Sequence, residues 1–131
     1  MRTFRFDPQD DIPIVAAKIC GPRKVKKIRL VFDTGCAVTQ VHTGIIEDIG
    51  YSIADAESIA SISGPVGDSQ SGYVVPVAKV LVFGLNFAGL KVGAFDFYNF
   101  GKDDIDGLLG FDVIKQLQLE MNGPKGELRI F

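Results

Sequence analysis

Residues Leu30-Val31-Phe32-Asp33-Thr34-Gly35-Cys36-Ala37 carry an apolar strand pattern abruptly into a carboxylate, a hydroxyl and a glycine. That ending places a carboxylate at the floor of something, with the Gly35 backbone free to approach it closely. Such a carboxylate takes up and releases protons for a reaction once a second acid or base stands near it. Farther on, Asp106-Gly107-Leu108-Leu109-Gly110-Phe111-Asp112-Val113-Ile114 runs an apolar pair into glycine and then into a short helical pattern. A different chemistry is also spelled out, a Cys36 thiol with His42 as its base, but no Asn or Asp obviously orients that pair.

These residues need short strands to hold them. Glycine makes up 15 of 131 residues, above the usual ~7%, and the glycines punctuate β-branched and aromatic runs in the rhythm of an all-β domain. The runs are Thr3–Phe6, Ile12–Cys20, Lys26–Phe32 after a Gly21-Pro22-Arg23 turn, Glu57–Ser63, Gly72–Phe83, Leu90–Phe97, Gln118–Met121, and Glu127–Phe131 after Gly123-Pro124-Lys125-Gly126. Alternation puts Ile28, Leu30 and Phe32 on one face, and Leu128 with Ile130. Two stretches read as short helices: Thr43–Ile49, stopped by Gly50, and Phe111–Leu117, with Asp112 in its first turn favouring the positive end of the helix dipole. The length predicts a single domain, 1–131.

Composition removes several function classes. A net charge of −2 gives no field for nucleic acid or an anionic membrane. The run Arg23, Lys24, Lys26, Lys27, Arg29 lies on a turn and the strand leaving it, where solvated charges guard an edge. Two cysteines and one histidine supply neither a structural zinc site nor a disulfide framework, so no metal is expected and a reducing, cytoplasmic setting is the simpler reading. Asp103, Asp104 and Asp106 lack the ligand series of a calcium loop. The start, MRTFRFDPQDD, has no apolar core of signal-peptide length, and no stretch reaches the ~20 apolar residues of a spanning helix; neither export nor a membrane partner is expected.

Asp33-Thr34-Gly35 after an apolar strand, followed downstream by Leu108-Leu109-Gly110 and a short helix, resembles the retropepsins, the single-domain retroviral-type aspartic proteases. FDVIKQLQLEMN is similar to cellular and bacterial members. The resemblance spans nearly the whole chain and implies a closed or partly open β-barrel with one or two short helices, working as a homodimer on polypeptide substrates without a cofactor. It implies that Asp33 is catalytic and that Thr34 and Gly35 support the turn. Cys36, Ala37, Val38 and Leu108 would border the substrate cleft, and Ser63–Tyr73, with Gly64, Gly67 and Gly72, would form the flap. Many retroviral members carry an Asp and an Arg as an ion pair where this chain has Ala37 and Phe111; both charges are absent together, as expected where an apolar contact replaces a buried pair. A non-catalytic peptide-binding β-module with the same fold is the alternative reading.

Overall fold

The computed structural model describes residues 1–63, 69–96 and 104–131. The expected flap tip, with Gly64 and Gly67, lies outside the described residues, as does Asp103. In chain order the elements are β1 (Arg2–Arg5), β2 (Ile14–Cys20), β3 (Val25–Phe32), β4 (Gln40–His42), α1 (Thr43–Asp48), a single 3₁₀ turn (Ile53–Asp55), β5 (Ser58–Ser63), β6 (Ser69–Pro76), β7 (Lys79–Val82), β8 (Leu85–Ala88), β9 (Lys91–Phe95), β10 (Gly107–Leu109), α2 (Phe111–Ile114), β11 (Leu119–Asn122) and β12 (Glu127–Ile130).

The strands form two sheets. A nine-stranded sheet runs β5-β6-β9-β4-β10-β3-β2-β7-β8, and a three-stranded sheet runs β1-β12-β11. The all-β expectation with two short helices stands, but the barrel is corrected: the large sheet ends in β5 and β8, which do not pair with each other. The reason lies in the outer strands. The residues of β8 and the first four of β5 are exposed or at most half-buried, so neither strand offers an apolar face that closure would bury. A serine-rich β5 and a four-residue β8 are blunt edges that tolerate water.

The core is filled from both halves of the large sheet. Ile19, Leu30, Val41, Val75, Val80, Val92 and Leu109 are buried together with Ile46 and Ile49 of the α1 segment and Val113 of α2. In β2 and β3 the period-2 pattern is the cause: Val15, Ala17 and Ile19 point one way while Ala16 and Lys18 face water. The α1 helix begins where the His42 imidazole Nδ1 accepts the Gly44 N–H at 3.0 Å, and ends before Gly50, whose φ of 110° a side chain would resist. The second helix is shorter than its pattern suggested and ends at Ile114.

The basic run is compensated where it stands. Lys26 and Lys24 both reach Asp48, at 2.8 and 2.9 Å, and the hydrogen bond from Lys26, then that from Lys24, hold the Asp48 carboxyl down to about 2. Arg29 pairs with Asp104. Because β10 flanks β3 only at Leu30–Phe32, the first half of β3 is an edge, and the lysines sit there.

Candidate active site

Asp33 leaves the end of β3, and the chain returns seven residues later as β4. Between these two strands runs β10, parallel to β3 with Leu109 opposite Phe32, and antiparallel to β4 with Gly107 opposite Val41. The insertion is tight. A Cβ on Gly107 would strike the Gln40 carbonyl, and one on Gly110 would come within 2.7 Å of the Val38 carbonyl carbon. The glycines of the second motif are therefore what lets it lie under the first.

Backbone groups fix the loop. The Asp33 N–H donates to the Leu109 carbonyl at 3.0 Å, and the Cys36 N–H to the Asp33 carbonyl at 3.3 Å. The Gly35 N–H donates to Asp33 Oδ1 at 2.9 Å, holding the carboxylate in one rotamer. Asp33 is half-buried, with Thr34 and Gly35 exposed beside it, so the acid is fixed in place yet open to a reactant. Leu108 is half-buried on β10, and Ala37 and Val38 are exposed on the same loop. Of the residues expected in a flap, Gly72 lies on β6, where a Cβ would collide with the Ala94 carbonyl and the Phe95 ring.

Thr39 was not singled out by the sequence, and it proves central. It is the buried polar side chain among the described residues that lie in the core. Its Oγ1 donates to Asp112 Oδ1 at 2.7 Å and accepts the Gly110 N–H at 3.0 Å, while its own N–H donates to Asp112 Oδ2 at 2.9 Å. Asp112 also accepts the Val113 N–H at 2.9 Å. Its role is thus wider than complementing a helix dipole: it ties the start of α2 to the far end of the Asp33 loop. No local signal marked it, since Thr39 stands between Val38 and Gln40 and its partner Asp112 is 73 positions away.

The absent ion pair has a backbone substitute. The Phe111 N–H donates to the Cys36 carbonyl at 2.6 Å, joining the two motifs without charge, and the Phe111 side chain is left 46% exposed. The cysteine chemistry has no geometry to support it. The Cys36 thiol donates to the Val38 carbonyl at 3.0 Å, and the His42 ring is engaged as the α1 cap. Burial pushes the Cys36 thiol above its ordinary value, partly opposed by the Val38 hydrogen bond and reinforced by the charges of Asp33 and Asp112. A thiol so held stays protonated at neutral pH and is a poor nucleophile.

Among the described residues no group of three or more His, Cys, Asp or Glu is arranged to hold a metal ion. Nor is any described helix long and apolar enough to cross a membrane.

An acid loop at the end of one strand, braced from below by a second apolar-glycine motif, is the arrangement of a retropepsin-like fold. A solved retropepsin-like aspartic protease from Rickettsia conorii has the same fold with a TM-score of 0.68, at 18% identity over 99% of this chain and 97% of that one. The retroviral protease-like domain of Ddi1 from Leishmania major follows with a TM-score of 0.60, at 14% identity over 93% of this chain and 90% of that one. No curated protein matches in sequence. Residues 15–113 match the family described as aspartyl protease, and the chain belongs to that family.

Proposed function

We propose that the chain is an aspartic endopeptidase that hydrolyses peptide bonds through a water activated by two Asp33 carboxylates, one from each chain of a homodimer. The observation that carries this reading is the Asp33 loop itself: a carboxylate held by the Gly35 N–H, anchored through its backbone to Leu109, and left partly open. Each chain holds one such loop. Two carboxylates brought to about 3 Å cannot both ionise and share a proton, so one acts as base while the other is the acid.

In that pair the ionised carboxylate draws a proton from the bound water as its oxygen attacks the scissile carbonyl. The protonated partner donates to the oxyanion as it forms, and the proton taken from water then goes to the leaving amine. No covalent intermediate arises. Thr34, exposed beside Asp33, would hydrogen-bond across the dimer axis and hold the two loops together. Cys36, Ala37, Val38 and Leu108 border a cleft that favours apolar side chains, and β5–β6 would cover an extended peptide by adding main-chain hydrogen bonds.

Asp33→Asn tests the reading. The amide keeps the shape of the loop but cannot take the water's proton, so hydrolysis of a peptide library should fall by about 10²–10⁴ while peptide binding and the melting temperature hold. Turnover within about tenfold of the unaltered chain would reject the aspartic mechanism. Binding without any cleavage by the unaltered chain would favour the non-catalytic module.

A further inference from the structure

Phe83 and Gly84 form the two-residue turn that joins β7 to β8, with Val82 opposite Leu85. Both have positive φ, 55° and 71°, and Phe83 is the one non-glycine residue among those described that does so. Turns of this kind favour Asn, Asp or Gly at the first position, and a bulky aromatic there is a true outlier. Something must hold it. The Phe83 ring is 4% exposed and stands edge-on between two others, Phe4 at 5.3 Å and Phe32 at 6.4 Å between ring centres.

Those two neighbours lie at telling places. Phe32 ends β3 and immediately precedes Asp33. Phe4 lies on β1, opposite Leu128 of β12. Two residues away on β1, Arg2 Nη1 donates to the Gly84 carbonyl at 3.4 Å, so β1 also touches the backbone of the turn. The three rings thus form a continuous packed path from the terminal sheet to the residue before the acid. An unfavourable backbone conformation kept for the sake of a ring contact points to a function for that contact.

We propose that Phe83 is a positioning residue that transmits the placement of the terminal sheet to the Asp33 loop, so that Asp33 is correctly aimed only when β1 is docked. This rests on the reading of Asp33 as catalytic. Moving Phe32 shifts the start of the loop, whereas the cleft wall at Val38 lies at the loop's far end, where its neighbour Thr39 is held by Asp112. Loss of the path therefore lowers turnover rather than peptide affinity.

The test uses Phe83→Leu, Phe4→Leu and the double variant in the full chain. Leucine keeps most of the apolar volume but cannot present a ring edge to both neighbours. In each variant kcat should fall by about tenfold or more with KM nearly unchanged, and the double variant should be no worse than the worse single one, because the path is already broken. The Asp33 amide should exchange its hydrogen faster in each, while the amides of Ile19 and Val80 keep their protection. Exchange is read without turnover, so it separates this inference from the peptidase reading. Unchanged Asp33 exchange with unchanged kcat, strictly additive losses, or a uniform loosening of core amides would overturn the proposal. If Phe83→Leu does not fold, Phe4→Leu alone, at a half-buried site, decides the exchange and kcat arms.

Discussion

Around Asp33 the N–H groups of Asp33, Gly35, Cys36 and Thr39 all find acceptors within one chain, whereas the terminal sheet leaves Met121 47% and Phe131 54% exposed. The first region is held by these backbone bonds, and under the proposed mechanism it is incomplete in its chemistry, because one carboxylate would be half of an acid-base pair. The second is complete in its ladders, with β12 paired on both sides by β1 and β11, and incomplete in its burial. The difference teaches where each kind of work is done. Hydrogen bonds preorganise the loop before any partner arrives, and apolar surface is held back at the termini, where a second copy of the chain would cover it under the proposed dimer. Because β1 already pairs with β12 in the same chain, that copy would meet the sheet at its outer surfaces or edges rather than by exchanging these two strands.

The largest effect expected from breaking this comparison is at Thr39. Thr39→Val keeps the shape but strands the buried Gly110 N–H and removes one of the three hydrogen bonds to the Asp112 carboxylate, so denaturant unfolding should show a loss of about 2 kcal/mol. A loss under about 0.5 kcal/mol would mean that the brace is not what holds the loop. A smaller effect is expected at the terminal sheet. Met121→Asp should leave the stability of the dilute chain within about 0.5 kcal/mol, since the side chain is half exposed, yet weaken self-association about tenfold or more by sedimentation, which is ~1.4 kcal/mol. Unaltered association would remove β11 from the interface.

The smallest effect is expected at a buried polar group without the partners that Thr39 has. Tyr73 on β6 is buried like Thr39, but its hydroxyl has no hydrogen-bond partner among the described residues. Burial pushes its phenol above the ordinary value of 10.0, with the charges of Glu47, Asp55 and Asp96 adding to the rise. The unfolded chain then ionises first as pH climbs, so the contribution is whole below pH 10 and is lost above it. Tyr73→Phe should be neutral or stabilise by up to about 1 kcal/mol at pH 7 and flatten the alkaline limb of the stability curve. Destabilisation by more than that would reveal a bond that the hydroxyl does make.

Much of this was legible in the sequence because strand patterns are local. Ile12–Cys20, Lys26–Phe32 and Glu127–Phe131 contain β2, most of β3 and β12 with boundary shifts of a residue or two. Single motifs such as Asp33-Thr34-Gly35 and Leu108-Leu109-Gly110 announced the loop and its brace. What escaped was set by tertiary contact. The three-residue strands β4 and β10 carry too few residues to show a period, and exist because each lies between neighbours in the sheet. The run Gly72–Phe83 divides into β6, which pairs with β5 and β9, and β7, which pairs with β2 and β8, a change of partners that no local pattern announces. Thr39 carries no local sequence signal, and its importance comes from Asp112, 73 positions away. The barrel failed for a similar reason: alternation marks a strand but does not say whether the outermost two will meet.

The central claim, that two chains each supply one Asp33 to a single centre, is tested most directly by mixing. Unaltered chain and Asp33→Asn chain are combined at constant total concentration, allowed to exchange partners, and assayed for peptide hydrolysis as the unaltered fraction is varied. If the centre needs both carboxylates, activity follows the square of that fraction, falling to about a quarter of its full value in an equal mixture. Activity that falls linearly, to about half in an equal mixture, would mean that each chain works alone and would contradict the shared pair.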